Sequence, residues 1–156
     1  MSAKLTSASL LLWFSVASAF LALGDSRAQA KEKELKFEVQ LIWGTNEKES
    51  PDPKHTPVEA DIRKKLDGLP LKWANYFIVN RKTFTVPAGG SARVPLSEKC
   101  EIGVADLGHG KIELSHFGKG KEVWKGKPAL PKGETFVLGG NAPNSTSWLI
   151  VLKRIE

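Results

Sequence analysis

One cysteine and three histidines carry most of the nucleophilic and metal-binding chemistry open to this 156-residue chain. Cys100 leads a run in which Cys100, Ile102 and Val104 alternate with other residues, the spacing of one face of a β-strand. In that setting the residue reads as a small buried apolar side chain, since free cysteine is among the most buried types. A catalytic thiolate needs a base beside it. His109 and His116 are near in sequence, but no recognised signature surrounds the cysteine. Asp106 and His109 sit within reach of one turn. The enzyme alternative is therefore a small hydrolase using His109 or His116 with Asp106 or Cys100. No Gly-x-Ser-x-Gly elbow is present.

Metal and phosphate chemistry fare no better. His55 falls in a charged loop, His109 in a turn and His116 on a strand, without the ligand spacing of a zinc site. The chain has 14 glycines, yet Gly118-Lys-Gly120-Lys121 lacks the spacing and the following Ser or Thr of a phosphate loop. The sequence thus predicts no catalytic residue, no bound metal and no cofactor.

A basic and aromatic stretch is the remaining candidate. Lys111, Lys119, Lys121, Lys125, Lys127 and Lys132 stand against Glu113 and Glu122, a local balance of +4, with Trp124 in their midst. Such a face can follow a polyanion by charge while the ring stacks on a base or sugar. Lysines that keep an exposed strand edge from pairing with another chain explain the same pattern, and that reading is preferred. Trp73, in Lys72-Trp-Ala-Asn-Tyr76, is the better surface aromatic; Trp43 and Trp148 have apolar neighbours and read as core. Trp73, Trp124, Lys119, Lys121 and Lys125 form the candidate binding set.

The elements that must position these residues are mostly strands. Leu35, Phe37, Val39, Leu41 and Trp43 alternate with Lys36, Glu38 and Gln40, which predicts a half-buried strand. Gly44 to His55 is a loop of turn-formers and charge. Thr56-Pro57-Val58-Glu59 has the form of a helix start, with Thr56 as cap, and Val58, Ile62 and Leu66 make one apolar stripe before Gly68. One short helix over about 57–67 is predicted. Short runs follow at Tyr76–Val79, Thr83–Val86, Ala92–Leu96, Cys100–Val104, Ile112–Phe117, Glu122–Trp124, Thr135–Leu138 and Trp148–Ile155, with turn signals every 8–12 residues. That rhythm predicts a mainly β fold, an antiparallel sandwich or partly open barrel. The run Trp148-Leu-Ile-Val-Leu152 is apolar on both faces and belongs at the centre.

Residues 1–30 read as a signal peptide. Lys4 precedes an apolar stretch from Leu10 to Leu23, and Ala28-Gln29-Ala30 supplies the small-x-small cleavage pattern. Its apolar core of 14 residues is short of the ~20 that a spanning helix needs. Cleavage would leave residues 31–156 as a single domain with no membrane span, exported to the periplasm or beyond. Loss of Lys4, Asp25 and Arg27 lowers the formal charge from +6 to +5. A single cysteine excludes a disulfide framework within one chain.

Gly133-Glu-Thr-Phe-Val-Leu138-Gly139-Gly140, followed by the strand Trp148 to Leu152, resembles a strand-turn-strand motif of the secretins, the ring-forming outer-membrane channels of bacteria. The wider pattern of LIWGT, the TPVE helix, LKWANYF and GETFVLGG is similar to small exported bacterial proteins of unassigned function. Neither resemblance supplies an active site. The expectation is an exported non-catalytic β-domain acting in binding or assembly in the cell envelope, with an envelope protein or an anionic polymer as partner and no specific nucleic acid. A polyanion- or glycan-binding module is the first alternative, and the hydrolase the second.

Overall fold

The computed structural model describes residues 33–142 and 144–156, so the predicted signal peptide lies outside the described residues. Nine strands and one helix follow in the order β1 (Leu35–Thr45), β2 (Thr56–Pro57), α1 (Ala60–Asp67), β3 (Asn75–Val86), β4 (Ser91–Ser97), β5 (Cys100–Asp106), β6 (Ile112–Gly118), β7 (Lys121–Gly126), β8 (Thr135–Ala142) and β9 (Thr146–Arg154). They form two antiparallel sheets, one ordered β2-β3-β1-β9-β8 and the other β4-β5-β6-β7. The fold is mainly β, with no closed barrel, as the turn rhythm predicts.

The five-stranded sheet is buried on both faces, which makes three layers. Phe37, Val39 and Leu41 of β1, with Ile150 and Leu152 of β9, join Leu96, Ile102, Val104, Ile112 and Leu114 of the other sheet in the main core. On the opposite face Leu149, Val151 and Ile42 pack under Ile62 and Leu66 of α1, with Tyr76 and Ile78. A strand between two cores has no polar face to show, so β9 is apolar at successive positions from Leu149 to Leu152. The register of β1 against β3 shifts between Leu41 and Ile42, and these adjacent residues are both buried, in different cores.

Two local expectations are corrected. The helix begins at Ala60, and Thr56 is not its cap. Thr56 and Pro57 instead pair with Ile78 and Phe77 as a short edge strand, and the Val58 N–H donates to the Tyr76 carbonyl. Glu59 takes the cap position in extended backbone without a capping hydrogen bond, its carboxylate being engaged by Arg81. The sheet edge therefore competes successfully for the residues that would have capped the helix. The second correction concerns the runs on either side of Asn80-Arg81-Lys82, which are one strand of 12 residues. The long β1 pairs with it from end to end apart from Val79 at the register shift, holding Arg81 opposite Gln40 and Lys82 opposite Val39.

Asp106 closes the corner where the chain passes between sheets. Its carboxylate accepts from the Gly89 and Gly108 N–H groups, each at 2.9 Å. His109 is not its hydrogen-bond partner; it occupies the β5–β6 turn at φ +52° between Gly108 and Gly110. Among the described residues no helix is long and apolar enough to cross a membrane.

Candidate site: a cleft between two sheet edges

The sandwich is sealed differently on its two sides. On one side β3 leads directly into β4 across the turn at Pro87–Gly90. On the other, β7 and β8 are both terminal strands of their sheets, with no ladder between them. Trp124 of β7 stacks on Phe136 of β8 there, ring centroids 5.8 Å apart.

Past that contact the sheets part and leave a cleft of about 850 Å³. Leu41, Ile150, Trp148 and Leu138 line its five-stranded wall, and Cys100, His116 and Trp124 the other. Side-chain size explains the opening. Inward positions deeper in the four-stranded sheet carry Ile102, Val104, Ile112 and Leu114, whereas Cys100, His116 and Gly118 follow toward the cleft. Across from them β8 contributes Gly140, where an added Cβ would meet open space, while the neighbouring Gly139 faces Leu149 on the helix side. Trp148, expected in the core, stands in the mouth at 43% exposure because the opposite sheet does not reach it. Trp43, likewise expected in the core, is half-buried with its ring 6.0 Å from that of Phe77.

Cys100 and His116 meet in the cleft wall. Cys100 lies opposite Gly118 and His116 opposite Ile102, so the two are diagonal neighbours on one face of the β5–β6 ladder. The Cys100 Sγ is 3.6 Å from the His116 Nε2. Burial pushes the thiol up to about 11 and the imidazole below its ordinary value, because both lose solvation in their charged forms. At neutral pH this is a thiol beside a neutral imidazole, the reverse of the ion pair that activates a catalytic cysteine. Cys100 is half-buried rather than fully enclosed.

The two edges flanking the cleft differ in protection. β7 reads Lys-Glu-Val-Trp-Lys-Gly, and its charges discourage pairing with another chain. β8 reads Thr-Phe-Val-Leu-Gly-Gly-Asn-Ala, eight residues without a charge or a proline.

The residues proposed from sequence do not converge. Trp124 faces the cleft, while Lys125 beside it projects from the opposite face and reaches Glu113 at 3.4 Å and Glu122 at 3.3 Å. Those carboxylates raise the affinity of Lys125 for its proton. Lys121 is exposed at the start of β7, and Lys119 occupies the preceding turn at φ +50°. Trp73 packs into the helix-side core and lines a separate cavity of about 390 Å³ with Lys72 and Asn141. The sequence points neither to Trp148 as a cleft residue nor to Gly139-Gly140, which lie beyond the run predicted over Thr135–Leu138 yet belong to β8. No protein-family model, curated protein or solved structure matches the chain.

Proposed function

We propose that the chain is an exported, non-catalytic binding domain of the bacterial cell envelope that accepts an extended segment of a partner protein along the edge of β8. The single observation carrying this reading is the uncharged, proline-free edge of β8 running beside an apolar cleft. Exposed sheet edges are normally blunted by charge, proline or a covering element. Where an edge is left plain, an added strand gains main-chain hydrogen bonds, and a neighbouring groove selects its alternate side chains. Gly140 leaves open space where a side chain would otherwise stand in the way of such a strand. The neutral state of Cys100 and His116 supports a non-catalytic role. The engagement of Lys125 by two glutamates weakens the polyanion alternative.

The test uses a synthetic ten-residue peptide with capped ends and valine or isoleucine at alternate positions. Amide hydrogen exchange in the 135–142 segment should slow on its addition, and Leu138→Lys, which places a charge in the cleft, should abolish the effect. Unchanged exchange there, or binding of a compact apolar dye without any binding of the peptide, would overturn the reading.

A further inference from the structure

We propose that Cys100 and His116 together hold one soft monovalent metal ion, of the Cu(I) or Ag(I) class, at the wall of the cleft. The site stands on its own donors and does not depend on a partner strand. Its geometry comes first. With metal–sulfur and metal–nitrogen bonds of about 2.3 and 2.0 Å, the values for zinc, donors 3.6 Å apart subtend about 110° at a shared ion, the angle of a trigonal site with one open position. The linear arrangement of a two-coordinate ion needs the donors to part by only about 0.7 Å. The ion replaces the proton between Sγ and Nε2: the S–H bond breaks, sulfur and nitrogen each give an electron pair to the metal, and the proton leaves to solvent. No electron is transferred.

Charge and donor number then select the ion. A monovalent cation on one thiolate and one neutral imidazole gives a unit of zero net charge, which an apolar cleft tolerates. A divalent ion would leave a net positive charge there, at a desolvation cost. Zinc sites are built from three or four protein ligands, and among the described residues no three His, Cys, Asp or Glu side chains group to hold a metal. Thiolate with imidazole is a donor pair of the softness that Cu(I) takes. The remaining coordination position opens to the cleft, beside Trp124 and Trp148.

The experiment titrates the whole chain, reduced and under anaerobic conditions, first with Ag(I) as a redox-inert probe and then with chelator-buffered Cu(I). One ion per chain is expected, with one proton released. Affinity should rise tenfold per pH unit through neutrality, because the thiol must lose its proton. His116→Asn should weaken binding at least about tenfold, since even an outer-shell partner of a metal ligand contributes that much. In the unmodified protein the ring ¹⁵N signal of His116 Nε2 should move on addition of metal, which tests the site without any variant. Binding that is unchanged in His116→Asn, an unmoved Nε2 signal, one ion per two chains, or Zn(II) bound as tightly as Ag(I) would each overturn the proposal. Failure of the peptide to bind β8 would leave all of these outcomes unaffected.

Discussion

Trp124 and Phe136 belong to different sheets, and their stacked rings, 5.8 Å between centroids, join two strands that share no ladder. The contact closes the open side of the sandwich just where the cleft begins. Both rings are half-buried. Phe136→Ala should therefore destabilise by about 2 kcal/mol, below the range for a fully buried phenylalanine. A double-mutant cycle with Trp124→Ala should return a coupling of about 1 kcal/mol, read from denaturant midpoints at constant slope.

The thiol of Cys100 should be slow toward alkylating reagents at pH 7. Its pKa of about 11 against an ordinary 9.0 leaves the native thiolate about a hundredfold scarcer than in the unfolded chain. Labelling should accelerate tenfold per pH unit until that pKa is approached. Folding linkage has a definite sign here. The folded state holds this proton more tightly, so the contribution is fully present below pH 9 and is lost as pH rises through about 11. Cys100→Ala should flatten that part of a stability–pH curve, measured by denaturation at several alkaline pH values.

Gly44 is fixed by its neighbours and not by its backbone. A Cβ there would lie 2.5 Å from Ser147 Oγ and 3.0 Å from the Trp73 ring. Ser147 is buried and Trp73 is packed into the helix-side core, so neither has much room to yield. Gly44→Ala should cost about 1–3 kcal/mol in chemical denaturation, the range for overpacking.

Charge reversal at Lys119 and Lys121 tests the polyanion alternative without disturbing the carboxylates that surround Lys125. The double variant Lys119→Glu/Lys121→Glu should keep its denaturant midpoint, because both residues are exposed. Heparin titrations at low and moderate salt should be weak and alike for the two proteins. Steep, salt-sensitive binding lost only in the variant would favour the polyanion reading instead.

The legible part of this molecule is the part governed by alternation. Leu35 to Val39, the pair Ile102 and Val104, and the doubly apolar β9 declare their faces, whereas Gln40, polar in the alternation, is buried because β1 is covered on both sides. The helix start was not legible, since a cap motif at Thr56 cannot show that Tyr76 will offer a carbonyl to the next residue but one. The cleft was hidden for a similar reason. It arises from the small residues Gly118 and Gly140 that line it, and an unfilled space has no signature until the facing sheets are placed. Cys100 and His116 were each visible, but their proximity depends on the β5–β6 register about the turn at His109. Lys125 and Trp124, neighbours in the chain, part company through the same alternation that assigns the strands.

The pairing of β1 with β9 sets a timetable for folding. Phe37 finds Arg154 as its partner, so the centre of the five-stranded sheet joins segments from opposite ends of the domain. A ribosome that has released everything through β8 has made a chain whose first strand still lacks one neighbour and whose edge strand β8 has none. The four-stranded sheet, all hairpins between consecutive strands, can form early, but its apolar face must wait for the other half of the core. Long-range closure of this kind is slow, because chain entropy is lost before the contacts are gained. The arrival of a single late strand then completes both cores at once, and a nascent chain stopped short of it would expose the apolar faces of each.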